Sequence, residues 1–435
     1  MAKLAKIWRN KALRKKILYT LFAVLVYRLA SAISVPGVDV EAIKTLLDQN
    51  QVLGAFSVFT GGSSENFSIM LMGVSPYINA SIIMQLMTVV IPKLESLSKE
   101  GEQGRKVINR WTRYLTLPLA LLQSYGMILL LNNSAVQAGA KAITDVYNIY
   151  AVLPLMLSIT VGTVFLMWLG ELITERGIGN GISMIIFAGI VSRVPSIIGQ
   201  TLGLATFDQS KYVPFIILAV ITLLLVMLVV FITEGYRNVP ITYGGVGQNG
   251  ASKGGIPIKV NQAGMIPIIF AISMITFPTL IAQFFRGNVV ADWIIENFSR
   301  SQLSGVYIAS LFIFVLAFTF FYVSVTFNPE QVAESIQKRG GYIPGIRPGK
   351  ETAHYLSLIS NRLNLWGGLF IGFIAAGPIF LQRIFIDLNL GTIQLLMSGS
   401  GIIIIVGVIL ELNRQVNTQL MQENYDKYLT PTNTL

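Results

Sequence analysis

The sequence predicts an all-α membrane protein with ten transmembrane helices. Of its 435 residues, 53% are hydrophobic and only 12% are charged, whereas soluble domains are typically about 25% charged. Apolar runs recur along the chain, and a run of about 18 or more apolar residues is typical of a membrane-spanning helix. Because lipid offers no hydrogen bonds to an open backbone, such runs are expected to be helices rather than strands.

The apolar runs predict where the ten spans lie. They cover residues 17–35, 74–92, 114–132, 150–170, 182–199, 213–233, 262–284, 304–325, 363–382 and 396–412. One further stretch, 55–72, contains Gly61 and Gly62 and is too short to cross a bilayer. The residues alone leave two alternatives for it, a re-entrant segment or an ordinary external loop.

Positive charges set the predicted orientation. With the N-terminus in the cytosol, 24 of the 32 Lys and Arg residues fall on the cytosolic side, in a basic tail (1–16), in loops that include 234–261 and 326–362, and in a C-terminal tail (413–435). Anionic lipids are the general partners of such charges, and Leu4, Ile7 and Trp8 suit an interfacial helix in the first tail. The Gly- and Pro-rich loop 326–362 favours a shaped docking surface for a polyanion or an acidic protein.

The chain lacks the side chains that several other functions need. Glu171, Glu234 and Glu411 lie at cytosolic ends of the predicted spans, whereas a coupled transporter keeps an ionisable group near mid-membrane. There is no cysteine, and His354 is the only histidine, so the sequence predicts no metal site, no cofactor and no catalytic base or nucleophile. The glycine strings at 177–181 and 244–247 lack the context of a phosphate-binding loop. An enzyme is not expected.

Several strings resemble the SecY family of protein-export channels. The most specific is FLMWLGELITERGIGNGIS at 165–183, and MGVSPYINASIIMQL at 72–86 resembles the second span of that family. Further matches are at 35–39, 99–106, 327–329 and 344–349, and the resemblance runs in unbroken order from about residue 15 to 420. It covers nearly the whole chain.

The resemblance implies a fold of two pseudo-symmetric five-helix halves around a central pore. The halves would be residues 17–200 and 201–412, in a multi-pass protein of a bacterial plasma membrane with both termini in the cytosol. Implied partners are a SecE-type subunit, a SecG-type subunit, the SecA motor ATPase, the ribosome and unfolded precursors with signal sequences. The implied function is to pass secretory proteins across the membrane and to release apolar segments sideways into lipid.

The resemblance also implies a ring of aliphatic side chains that closes the empty pore and seals around a passing chain. Its positions are Val74, Ile78, Ile182, Ile186, Ile269 and Ile404. Val74 with Ile78 and Ile182 with Ile186 are four residues apart, so each pair shares a helix face. The residues alone also allow ordinary core or lipid-facing roles for all six. Ala120 is expected to face away from this ring.

Three further sets of positions follow from the resemblance. Segment 55–72 becomes a re-entrant plug half-helix, with Phe56, Phe59, Gly61, Gly62 and Phe67 as its plug residues. A lateral gate would include Asn79, Gln85 and Phe277, although the two polar side chains also suit plain helix–helix contacts. Cytosolic partners would dock at Arg347, Arg339, Lys338 and Arg237.

Loop 234–261 departs from the family pattern because it carries few basic residues. Either this loop is softer, or docking depends on residues 338–350. Two competing functions also stay open, a transporter of small solutes or lipids and an insertase without a through-pore.

Overall fold

The computed structural model describes residues 8, 10–35, 67–137, 148–192, 194–195, 198–199, 212–243, 252–298, 304–387 and 399–429. The helices up to the first strand are α1 (Lys11–Ser31), α2 (Ser75–Val90), α3 (Pro92–Lys99), α4 (Glu102–Gln137), α5 (Ile149–Arg176), α6 (Gly181–Val191) and α7 (Tyr212–Glu234). After strands β1 (Tyr236–Tyr243) and β2 (Ser252–Lys259) come α8 (Ile266–Ala282), α9 (Val289–Phe298), α10 (Gly305–Thr326), α11 (Pro329–Lys338), β3 (Gly341–Tyr342), α12 (Lys350–Asp387) and α13 (Gly399–Leu429).

The predicted helices are present, since each of the ten predicted spans coincides with a described helix over most of its length. By length and composition, six of the described helices can cross a membrane, or seven if α2 and α3 form one bent span. The total of ten spans stays a prediction.

Several helices extend well beyond the predicted spans. Helix α1 begins six residues early, at Lys11, where the Asn10 side chain accepts a hydrogen bond from the Leu13 amide (3.0 Å) and so caps the helix. Helix α12 begins at Lys350, inside the predicted loop 326–362, and α13 continues through the predicted C-terminal tail. Polar residues therefore continue these helices past their apolar sections.

Helices α2 and α3 meet at a bend of 102°. Pro92 is the first residue of α3, and Ile91 before it has extended backbone angles (φ −101°, ψ 112°). A proline disfavours helical angles in the residue before it, which explains why the first helix ends there. The bend separates the strongly apolar α2 from the polar α3.

A three-stranded antiparallel sheet with the order β2-β1-β3 joins the two predicted loops 234–261 and 326–362. Strand β1 pairs with β2 along eight residues and with β3 only at Thr242 and Tyr243. Pro240 has no amide hydrogen to donate, and β3 ends before reaching it. The described parts of loop 234–261 are thus regular strands, which the sequence analysis did not predict.

The sheet has its own hydrophobic core. Side chains of β1 and β2 alternate between two faces, and the inward set packs against α11 and α12. The buried members are Val239, Ile241, Ile258, Ile336, Ile343, Leu356 and Ile359. The two loops therefore form a single packed body.

The chain separates into two compact units. The first comprises residues 1–204, 273–304 and 404–435, and the second comprises 205–272 and 305–403. This division differs from the predicted halves 17–200 and 201–412, because most of α13 and the second part of α8 group with the N-terminal helices. In the second unit, α10 and α12 pack closely, with Phe312 and Phe373 ring centroids 5.2 Å apart.

Candidate functional site

The predicted plug segment is described only at its end. Phe56, Phe59, Gly61 and Gly62 lie outside the described residues, while residues 67–72 form turns rather than a helix. The backbone oxygen of Phe67 accepts from the Val35 amide (2.9 Å), and the Ile69 amide donates to the Ile33 oxygen (3.0 Å). These bonds fix the end of the segment to the chain that follows α1.

Deep burial holds the same residues in place. Phe67 is fully buried in a left-handed backbone conformation (φ 42°), which is unusual for a residue other than glycine. Leu71 and Met72 join its cluster, together with side chains of α4, α5 and α8, namely Met127, Ile128, Leu131, Val152, Leu155, Ile159 and Leu280. At Gly162 a side chain would overlap the backbone oxygen of Ile69. Residues 67–72, which we call the anchored turn, therefore fit against α5 only because position 162 is glycine.

The anchored turn leads directly into the first pair of predicted ring residues. Val74 is the N-cap residue of α2 and is buried, and its oxygen accepts from the Ile78 amide (3.0 Å). Ile78 lies one turn later and is half-buried. The position of this pair thus depends on the packing of the residues just before it.

A turn between α5 and α6 positions the second pair. The Ile178 amide donates to Thr20 Oγ1 (3.0 Å), the Gly179 amide to Gln415 Oε1 (2.8 Å) and the Gly181 amide to Thr174 Oγ1 (2.9 Å). Asn180 caps α6 by accepting from the Ser183 amide (3.2 Å). Side chains of α1, α5 and α13 therefore satisfy the backbone of the GIGNG string, which explains why it is not a phosphate loop.

Glycines bring α5 and α6 into close contact beside this turn. A side chain at Gly181 would overlap the Gly170 oxygen, and one at Gly170 would meet Ile182 at 3.3 Å. Ile182 and Ile186 are half-buried on α6. Their helix is held against α5 at its first turn.

The remaining ring residues lie on α8 and α13. Ile269 is half-buried, whereas Ile404 is 1% exposed. Five of the six predicted ring residues belong to the first compact unit and Ile269 belongs to the second. The ring itself stays a prediction.

The predicted gate residues lie on α2 and α8 in the first unit. Asn79 is 7% exposed, and Phe277 is half-buried. Gln85 donates from Nε2 to Ser81 Oγ (3.3 Å) one turn earlier on its own helix. The gate role of all three stays a prediction.

The sheet brings the predicted docking residues into one body. Arg237 lies on β1, Lys338 and Arg339 end α11, and Arg347 lies on the turn before α12, and all four are exposed. The Arg347 backbone oxygen accepts from Thr352 Oγ1 (2.9 Å), so the turn is fixed while its guanidinium is left in solvent. The docking residues of the two predicted loops thus lie in one packed body.

Glu171 forms an ion pair between two helices. Its Oε1 lies 2.6 Å from Nε of Arg113, with the two side chains 25% and 47% exposed. The pair links the end of α5 to α4. Glu171 is therefore a helix-pairing residue, and its place at a cytosolic end stays a prediction. Among the described residues, no three His, Asp or Glu side chains come together as a metal site.

Gln123 is a buried residue that sequence reasoning missed. It lies at the middle of the predicted span 114–132, is 0% exposed, and neither its oxygen nor its nitrogen has a hydrogen-bond partner among the described residues. A polar side chain central in an apolar run was the available signal. Nearby Ala120 is also fully buried, so it packs inside the protein, and its expected orientation away from the ring stays a prediction. Since α4 is apolar on several sides here, its sequence does not show which face is covered.

Replacing Gln123 with leucine is expected to stabilise the protein. Leucine has a similar size and removes a buried amide whose lack of partners costs about 1–3 kcal/mol. Thermal unfolding of the detergent-purified protein would measure the change, with Gln85→Leu as the control because Gln85 is hydrogen-bonded. A lower melting temperature for Gln123→Leu would contradict the expectation.

A family model described as SecY matches residues 68–413 of this chain. The chain belongs to the SecY family. Curated members of similar length include the protein translocase subunit SecY of Streptomyces galbus, 39% identical over 98% of this chain and 99% of the relative. The corresponding subunit of Corynebacterium glutamicum is 39% identical over 99% and 100% of the two chains. The resemblance predicted from the sequence is confirmed.

Solved structures share the fold. A protein-conducting channel aligns with 94% of this chain and 93% of its own length, with a TM-score of 0.66 and 19% identity. Sec61 in a canine ribosome–channel complex from the endoplasmic reticulum aligns with 93% of this chain and 92% of its own length, with a TM-score of 0.59 and 19% identity. The mostly helical architecture is therefore that of SecY and Sec61 channels.

Proposed function

We propose that this protein is the channel subunit of a bacterial Sec translocase, which passes unfolded secretory proteins across the plasma membrane. The observation that carries the proposal is the arrangement of two helix starts. At Val74 and at Gly181, packed turns place the apolar pairs Val74/Ile78 and Ile182/Ile186 on α2 and α6. These are the positions that the family resemblance assigns to the pore ring.

In this proposal the six aliphatic side chains form the seal. A narrow apolar opening excludes water and ions when it is empty, and it fits around any passing side chain without selecting one. Segment 55–72 acts as the plug below the ring, and its anchored turn is the end that packing holds in place. Asn79, Gln85 and Phe277 line the lateral gate, through which apolar segments enter lipid.

The proposed partners follow from the charge and from the family. The body formed by the sheet, α11 and the turn before α12 is the docking site for the SecA motor and the ribosome, since exposed guanidinium groups bind carboxylates and phosphates well. Its docking residues are Arg237, Lys338, Arg339 and Arg347. SecE-type and SecG-type subunits complete the channel, and anionic lipids contact the basic tail. Both termini are cytosolic in this proposal.

Site-specific crosslinking would test the pore. The chain has no native cysteine, so single cysteines at Ile78, Ile186 and Ile269 can each be crosslinked to a stalled secretory precursor in membranes. All three are expected to crosslink. Val161 is the control because it lies on α5 within a predicted span and is 65% exposed, whereas Ala120 is buried and unsuitable.

The competing functions predict different outcomes. If none of the three ring positions crosslinks to a competent precursor, the result would favour an insertase without a through-pore. Equal labelling of Val161 and the ring positions would point to lateral contact in lipid only. Specific uptake of a small solute or lipid, without precursor crosslinks, would favour a transporter.

A further inference from the structure

A cavity of about 460 Å³ opens between α10, the start of α11 and α12 in the second unit. One wall is aromatic, with Phe320, Phe321 and Phe327, and the other is polar, with Ser360, Asn361 and Asn364. None of its lining residues is charged. The cavity therefore suits a neutral polar group attached to an apolar body.

A short chain of hydrogen bonds ends at this cavity. Asn364 Nδ2 donates to Ser360 Oγ (3.4 Å), and Ser360 Oγ donates to Gln262 Oε1 (3.2 Å). Asn364 is 2% exposed and Ser360 is 3% exposed. Asn364 Oδ1 and Gln262 Nε2 have no hydrogen-bond partner among the described residues. The chain thus has two open ends, and Asn364, the residue at one of them, is part of the cavity lining.

The open end at Asn364 persists in either amide orientation. Turning both amides over reverses every donor and acceptor, but three side chains joined in a line still leave one group unsatisfied at each end. In the orientation that the structure has, the open atom is the Asn364 oxygen, so a ligand must donate to it. A hydroxyl group donates and also satisfies the turned-over amide, whereas a phosphate diester only accepts and cannot bond to this oxygen.

The cavity lies at the predicted membrane boundary. Ser324 is the second-last residue of the predicted span 304–325, and Asn364 is the second residue of the span 363–382. Trp366, two residues further on α12, is 69% exposed, and exposed tryptophans concentrate at the level of lipid headgroups. A membrane lipid can therefore place its headgroup in the cavity and its acyl chains along the phenylalanine rings of α10.

We propose that this cavity binds a lipid with a hydroxyl-bearing headgroup, and that Asn364 recognises the hydroxyl. The lipid is a glycerol- or sugar-headed diacyl lipid, because both carry the required hydroxyl. The uncharged lining offers a phosphate no ionic partner, so the hydroxyl is the group that the site recognises. This site is separate from the pore ring and does not depend on the translocation function.

Native mass spectrometry of the full chain, purified with any subunits that accompany it, would test the site. The protein is reconstituted in phosphatidylcholine with one added lipid, and the bound lipid is counted after release. Phosphatidylglycerol and glucosyl-diacylglycerol are each expected to be retained about two- to tenfold over phosphatidylcholine, the range that one hydrogen bond provides. Phosphatidylmethanol, which has the charge of phosphatidylglycerol but no hydroxyl, should show no preference. If only one of the two hydroxyl-bearing lipids is retained, that lipid is the one that the cavity binds.

Two variants locate the binding. Asn364→Leu removes the recognising amide, and Ser324→Phe fills the cavity from its exposed rim while leaving the hydrogen-bond chain intact. Both should abolish the preference, while Asn413→Leu, at an exposed asparagine of the first unit, should retain it. If Asn364→Leu does not fold, the lipid preference of Ser324→Phe decides whether the cavity is the binding site. Retention of phosphatidylmethanol equal to phosphatidylglycerol, or an unchanged preference in a folded variant, would overturn the proposal.

Discussion

Replacing Gly162 with valine is expected to release the anchored turn and to destabilise the protein by about 3 kcal/mol. The new side chain would overlap the backbone oxygen of Ile69, and a backbone atom within a hydrogen-bonded turn cannot move aside as a flexible side chain can. Phe67, Leu71 and Met72 would then lose their contacts with α4 and α5. Val74, two residues after the turn, would lose its fixed position.

Thiol labelling would detect the release. Ser68 is fully buried, so a Ser68→Cys variant should resist maleimide in the parent chain and react quickly once Gly162→Val is added. Gly377→Val is the matched control, because Gly377 lies inside a helix but a side chain there meets nothing within 4 Å. Slow labelling in both double variants would show that α5 tolerates the valine and that the glycine is not required.

Replacing Leu356 with alanine is expected to loosen the sheet that supports the predicted docking residues. Leu356 is fully buried among side chains of β1, β2 and α11, and a leucine-to-alanine change in such a core costs about 2–5 kcal/mol. At a cost of about 2 kcal/mol, the fraction of molecules in which the sheet is open rises about 30-fold. Hydrogen exchange of residues 236–243, read by mass spectrometry, should accelerate by at least that factor.

The control for this experiment lies two residues away. Leu358 is on the same helix but is 44% exposed, so Leu358→Ala should leave the exchange of β1 almost unchanged. If both variants exchange like the parent chain, the sheet is held by its backbone pairing alone. Binding of a motor or ribosome to Leu356→Ala should weaken in parallel with the exchange.

The helices within the ten predicted spans could be predicted from the sequence because each span is a long apolar run, whereas the short helices α3, α9 and α11 lack such a run and were not predicted. The strands could not be predicted either. Strand β1 contains Arg237, Asn238 and Pro240, which disfavour a central strand, and β3 follows it about a hundred residues later in the sequence. Local pattern gives no information about a pairing between such distant segments.

The candidate site shows the same limit. The residue types and spacing of Ile182 and Ile186 were readable, but the tethers from Thr20 and Gln415 join residues 158 and 236 positions apart. Ala120 and Gln123 lie on α4, which has apolar residues on several faces. The sequence therefore could not show whether either side chain is buried. Sequence pattern predicts which element a residue occupies, and tertiary packing decides what that residue contacts.

The shared sheet also has a mechanical consequence. Tyr236, the first residue of β1, follows α7 after the single residue Gly235, and β3 leads through the Arg347 turn into α12. A force applied by a partner at Arg347 therefore reaches two helices at once, one through each side of the sheet. A ligand bound to this sheet can therefore move both helices together, whereas a ligand bound to one of two independent loops would only bend that loop.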